Sequence, residues 1–217
     1  MHAHVLNTPR MTTSDKPAHW SNVYSTKAES SVSWYKPHLQ RSLDLISGAG
    51  LLPDASIIDV GAGASTLVDD LFEQGFTKLT ALDLADSAFK ITKARLGAKA
   101  SSVQWLVGDV TTFPLSHHAY DLWHDRAVFH FLTEPQQREQ YVKQVCHAVK
   151  PGGFVIVATF GPHGPERCSG LPVVRYSAEQ LHAEFGSPFT LVSSAIEEHE
   201  TPWGTSQEFV YCCCRRA

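Results

Sequence analysis

From residue 56 onward the chain repeats one pattern: a short β-branched or aromatic run, then turn residues, then a longer stretch with apolar positions three and four apart. The short runs lie at 56–60, 78–82, 103–107, 120–124 and 154–160, and their near-continuous apolar character predicts strands buried on both faces. Helical spacing fills 65–73, 86–96, 127–132 and 136–149. Strands that alternate with helices predict a parallel sheet covered on both sides. The last of these helices is expected to stop at Lys150-Pro151-Gly152-Gly153, a Pro/Gly terminator leading into the fifth strand. After Ser177 the order changes. A short helix at 178–185 precedes two strand-like runs, 190–199 and 206–214, on either side of Thr201-Pro202-Trp203-Gly204, which predicts a terminal hairpin. The expected fold class is α/β: a doubly wound, mostly parallel seven-stranded sheet with a C-terminal antiparallel β-hairpin and helices on both faces.

Composition narrows what this sheet can serve. A chain of 217 residues is long enough for one domain with a proper core. We expect a disordered polar extension at 1–17 and a domain at 18–217, whose segment 18–50 precedes the first strand. The formal net charge of −4 gives no footprint for nucleic acid or an anionic membrane. The run at 154–160 is far below the ~20 residues that span a bilayer, and the first 20 residues hold no apolar core of signal-peptide length. Five cysteines, three of them adjacent at Cys212, Cys213 and Cys214, do not make a disulfide framework, and a reducing cytoplasm is their simplest home. Consecutive strand residues face opposite ways, so these three cannot converge on one metal, and no histidine spacing suggests zinc.

The chemistry starts at Asp59-Val60-Gly61-Ala62-Gly63, where a buried strand ends in an acid and two glycines before a helix opens. Such a turn lets backbone approach a nucleotide closely. It resembles the nucleoside-binding loop of class I S-adenosylmethionine-dependent methyltransferases. A dinucleotide fingerprint would need a third glycine where Thr66 stands, and the family's common third alternate glycine is replaced here by Ser65. Ligands in open α/β sheets sit at the carboxyl ends of the strands. There Asp83, 20 residues beyond Gly63, can accept hydrogen bonds from both ribose hydroxyls. The resemblance implies S-adenosylmethionine as cofactor, Asp109 at the adenine amino group, Leu84 and Val110 on the adenine faces, and His124 near the methionine portion. It also implies that the aromatic-rich segment with Trp20, Tyr24 and Trp34 folds over the site as a lid, where Tyr24 and Trp34 faces favour a sulfonium. The plainer readings stay open: Asp83 as an ordinary exposed acid after a strand, Asp109 as a turn or helix cap, the aromatic residues as staples for an N-terminal helix.

Methyl transfer from a sulfonium is an in-line displacement that needs alignment and dryness more than a nucleophile. Candidates for aligning or deprotonating the acceptor are His124, Asp125, Arg126 and His130. The Asp-Arg pair resembles the thiopurine and small-thiol methyltransferase groups, which implies an anionic acceptor on Arg126 oriented by Asp125. Equally, Asp125 caps the next helix with Arg126 as its ion pair, and His130 packs. The Gly/Pro-rich loop at 161–176 is too long for a minimal connection and offers His163, Cys168 and Arg175 to the acceptor. These features point to a small-molecule acceptor, leaning to a thiol or other soft nucleophile, and to no nucleic-acid or membrane partner. A protein lysine is the rival acceptor. From other classes, an NAD-dependent oxidoreductase and a non-catalytic nucleoside-binding protein stand as alternatives.

Overall fold

The computed structural model describes residues 15–217. Most of the expected extension therefore lies outside the described residues, and the helix that begins at Lys16 takes in its last two positions. Two helices precede the sheet, α1 (Lys16–Thr26) and α2 (Gln40–Gly48). The alternating part follows: β1 (Ser56–Val60), α3 (Leu67–Glu73), β2 (Lys78–Asp83), α4 (Asp86–Leu96), β3 (Val103–Val107), β4 (Tyr120–Arg126), α5 (Pro135–Ala148) and β5 (Val149–Phe160). A two-stranded flap, β6 (Arg167–Cys168) and β7 (Leu171–Pro172), leads to α6 (Ala178–Phe185) and the long pair β8 (Phe189–Glu200) and β9 (Ser206–Arg216). The strand order is β3-β2-β1-β4-β5-β9-β8, a seven-stranded sheet. Its first five strands are parallel, and β9 runs antiparallel to both β5 and β8. The architecture is the one that the apolar runs predict.

Alternation within those runs divides two cores. Ile57, Leu79, Leu122 and Ile156 face α2, α3 and α4, where Leu43, Ile46, Leu67 and Phe89 pack on them. Ile58, Leu82, Trp123 and Val155 face the other way, against Tyr141 and Val145 of α5 and Leu181 of α6. The cysteines obey the same parity: Cys213 lies in the first core, Cys212 and Cys214 in the second.

Three expectations fail locally. No helix forms at 127–132. Ala127 takes φ +75° and a single 3-10 turn covers Phe129–Phe131, because the Asp125 carboxylate accepts the Val128 and Phe129 N–H groups and winds the chain tightly. Helix α5 ends at Ala148, just before the Pro/Gly terminator as expected, but the fifth strand starts earlier than its apolar run. Strand β5 already begins at Val149, which pairs with Tyr120 across a bulge. The long loop after β5 is partly folded, carrying the β6–β7 flap.

Candidate active site

Two glycines shape the floor. Gly61 (φ +68°) and Gly63 (φ +54°) occupy the left-handed region, where L side chains are strained. A Cβ on Gly61 would stand 2.0 Å from Val128 Cγ2, and one on Gly63 would stand 2.5 Å from the Tyr24 hydroxyl. Gly61 N–H donates to Leu82 O at 2.7 Å, so the loop is drawn onto the end of β2. There Asp83 accepts from Gly63 N–H through Oδ2 and from Ala85 N–H through Oδ1, both at 3.0 Å. Burial pushes its carboxyl up to about 6, with the two amide bonds opposing.

A cleft of about 880 Å³ opens at these strand ends. Its end at β2 and β3, the candidate nucleoside end, has Asp83 and Asp109 as acceptors, with Leu84 and Val110 as apolar walls. Asp109 Oδ1 is taken by the Thr111 N–H at 2.9 Å and the Thr111 hydroxyl at 2.7 Å, so the turn-capping reading holds for that oxygen. Its Oδ2 accepts no hydrogen bond among the described residues. The other end is roofed by α1 and by Cys168 of the flap. Trp20 stands there 5.7 Å from Trp34 and 5.3 Å from Phe131, each pair of rings at 75°.

A second chamber of about 60 Å³ lies beside the segment ahead of β1, with Asp59, Ala62, Gly63 and His124 in its wall. Tyr24, Trp34, Gly61 and Arg126 line both spaces. Two residues of the small chamber's wall each carry an unmatched atom. Asp59 Oδ2 and Arg126 Nη2 are buried without a hydrogen-bond partner among the described residues. The rest of Arg126 is anchored: Nε donates to the Tyr211 hydroxyl and Nη1 to Trp34 O, both at 3.0 Å, and the guanidinium lies 4.3 Å from the Phe209 ring centroid. The Tyr211 hydroxyl donates in turn to Glu197 at 2.8 Å, and Glu197 also receives Lys36.

The remaining candidates lie elsewhere. Asp125 is fully buried and turned into the core, bonded to Val128 N–H, Phe129 N–H and the Tyr141 hydroxyl. Burial pushes its carboxyl up to about 7, and it forms no pair with Arg126. His130 is also fully buried, its Nδ1 accepting the Phe160 N–H. Burial, with Arg126 adding, pushes it down to about 3, so it stays neutral and lines neither chamber. Arg175 bonds to Gly164 O and Glu166 in its own loop, and His163 donates its backbone N–H to Glu208; neither side chain borders the cleft. Cys168 does, with a thiol that burial pushes up to about 12 and so keeps protonated. Sequence reasoning missed Phe131, Tyr211 and Ser42. Ser42 reaches His124 from a helix with no motif to flag it. Phe131 belonged to a stretch read as helix, and Tyr211 to a strand read only as a hairpin arm. Among the described residues no group of three or more His, Cys, Asp or Glu is placed to hold a metal ion.

The donor set fits S-adenosylmethionine. Asp83 matches a ribose diol, Leu84 and Val110 a flat base, and the glycine cradle a close ligand backbone. An orphan carboxylate oxygen and an orphan guanidinium nitrogen in one small chamber match the ammonium and carboxylate of an amino-acid tail.

Residues 57–153 match the family described as Methyltransferase domain. EEF1A lysine methyltransferase 2 of Homo sapiens is 22% identical over 198 residues, 85% of this chain and 76% of that relative. A solved structure concerned with conversion of a disulfide bond into a thioacetal group during echinomycin biosynthesis superposes with a TM-score of 0.75 at 18% identity, covering 93% of each chain. A Burkholderia thailandensis 1,6-didemethyltoxoflavin-N1-methyltransferase, solved with 1,6-didemethyltoxoflavin and S-adenosylhomocysteine, superposes with a TM-score of 0.67 at 19% identity, covering 98% of this chain and 93% of that one. At these identities the structural likeness is one of fold. Taken with the methyltransferase domain matched over residues 57–153 and a cleft whose donors suit the cofactor, it supports an S-adenosylmethionine-dependent methyltransferase.

Proposed function

We propose that the chain methylates a small-molecule acceptor in the cytoplasm, with a thiol or another soft nucleophile as the favoured class. The observation that carries this reading is the roof over the acceptor end. Trp20, Trp34 and Phe131, with Cys168 from the flap, bound the cleft opposite its nucleoside end. Those walls suit a small apolar body and shed water from the reaction. The cofactor supplies a methyl group already activated by its sulfonium, so alignment is the protein's main task. Asp125 and His130, the bases expected from the sequence, are both turned into the core. An acceptor that brings its own lone pair, a thiolate or an unprotonated nitrogen, suits such a site better than an alcohol. Arg126, bordering both chambers, offers Nη2 to an oxyanion, either the cofactor's tail carboxylate or an acidic group on the acceptor. The five cysteines are all free, which supports a reducing compartment. No helix among the described residues is long and apolar enough to cross a membrane.

The second reading, a protein lysine, draws on the relative named as an EEF1A lysine methyltransferase. An extract divided by dialysis into macromolecules and small molecules separates the two when each half is incubated with the enzyme and methyl-labelled cofactor. We expect label in the small-molecule half and turnover of simple thiols or heteroaromatic nitrogens in a purified panel. Label confined to protein would overturn the proposal.

A further inference from the structure

A line of three buried polar side chains leads from α2 to the floor of the small chamber. Ser42, His124 and Asp59 are 0%, 1% and 4% exposed. Asp59 and His124 are partners in the β1–β4 register, so their side chains leave the sheet on one face, toward α2. His124 Nδ1 lies 2.7 Å from Asp59 Oδ1, and His124 Nε2 lies 2.9 Å from Ser42 Oγ. An ionised Asp59 accepts the Nδ1 proton, which leaves Nε2 to accept from the Ser42 hydroxyl. The one buried atom of this line left unmatched is Asp59 Oδ2, and Asp59 is in the small chamber's wall. Burying a carboxylate oxygen without a partner is costly.

We infer that Ser42 and His124 are positioning residues that clamp one oxygen of Asp59 so that the other is presented to the small chamber as the receptor for a primary ammonium, the amino group of the cofactor's tail. The inference goes beyond the acceptor proposal and rests only on the cofactor assignment. Asp59 Oδ1 is held by an imidazole that is itself held at its far nitrogen, so the carboxylate cannot turn without breaking a buried bond. In a network of this kind each bond strengthens its neighbour. Arg126, in the wall of the same chamber, repels an ammonium and leaves Asp59 as its anionic partner. Because Ser42 belongs to α2, the clamp also ties the segment ahead of the sheet to the receptor.

Two ligands that share the adenosine thioether separate this role from a merely structural one. S-adenosylhomocysteine carries the amino-acid tail and 5′-methylthioadenosine lacks it. Calorimetric titration is carried out on wild type, His124→Phe, which keeps a ring without nitrogens, His124→Asn, which keeps a donor near the Nδ1 position, and Ser42→Ala. We expect His124→Phe to weaken S-adenosylhomocysteine about 10- to 100-fold, as for a lost charge-assisted bond, while 5′-methylthioadenosine changes by less than about twofold. His124→Asn recovers part of the loss, and Ser42→Ala shows a smaller loss with the same selectivity. Equal weakening of both ligands, or of neither, overturns the inference. Thermal melting verifies each fold, and His124→Asn and Ser42→Ala carry the comparison if the phenylalanine variant does not fold. A wild-type protein that binds neither ligand overturns the cofactor assignment as well, a result no variant is needed to recognise.

Discussion

At Asp83 two opposing effects set the charge of a single side chain. Two amide N–H groups favour its charge, burial opposes it more strongly, and the carboxyl titrates at about 6 instead of 3.8. With a ribose diol as the donor to this carboxylate, as the proposed cofactor site requires, binding would favour the ionised form and compete with a proton. Affinity for S-adenosylhomocysteine is therefore expected to be full above about pH 7 and to fall as the pH drops through 6, approaching tenfold per pH unit below it. Asp83→Asn should bind weakly at every pH and show no such break. Calorimetry between pH 5 and 8 measures both. The position of Asp83 was legible in the chain because strand length and spacing fix which residue ends a strand. The fates of Asp125 and His130 were not, since two residues on one short segment carry no sign of which way the turn will point them.

At the scale of elements, the end of β4 departs most from a propensity reading. Residues 127–132 have helical spacing, yet one buried carboxylate closes a tighter turn, and Ala127 adopts a positive φ. Tyr141 of α5 holds that carboxylate with an O–H bond of 2.6 Å and receives Trp123 Nε1–H at 2.9 Å. The native state keeps the Asp125 proton more tightly than the unfolded chain does, with a carboxyl at about 7 against 3.8. That contribution to stability is full below about pH 4 and is lost as the pH rises through 7. Tyr141→Phe removes the donor that best supports the charged form. It should cost about 1–3 kcal/mol, with a larger loss at pH 8 than at pH 5, and urea denaturation at the two pH values measures the difference. Strands β1, β2 and β3, by contrast, were readable nearly to the residue, because burial in the sheet demands an unbroken apolar run.

Across the whole molecule, the site is assembled from segments that are remote in sequence. α1 brings Trp20, the flap brings Cys168, and the turn after β4 brings Phe131. Arg95 of α4 joins the segment between α1 and α2 to the turn and helix after β1, donating to Glu29 Oε1 at 2.9 Å, to Asp69 Oδ2 at 2.8 Å and to Ser65 O at 2.7 Å. If the aromatic roof serves the acceptor, Trp20→Ala should raise the acceptor KM about tenfold while the Kd for S-adenosylhomocysteine stays within about twofold. Steady-state kinetics beside calorimetry tests this. Loss of both affinities together would assign Trp20 to the cofactor instead.

The chain by itself determined the layered α/β sheet, the glycine turn and the acids at the ends of β2 and β3. Those features depend on local period, on turn chemistry and on the rule that parallel strands present their carboxyl ends together. Only the tertiary structure decided which polar groups serve the cleft and which serve the core. It joined Ser42 to His124 and Asp59 and Arg126 to Tyr211 instead of Asp125. It also turned His163 and Arg175 away from the cleft. The physical reason is that a hydrogen-bond partner for a buried polar atom is found by proximity in space, and sequence spacing carries that information only within a strand, a helix or a turn.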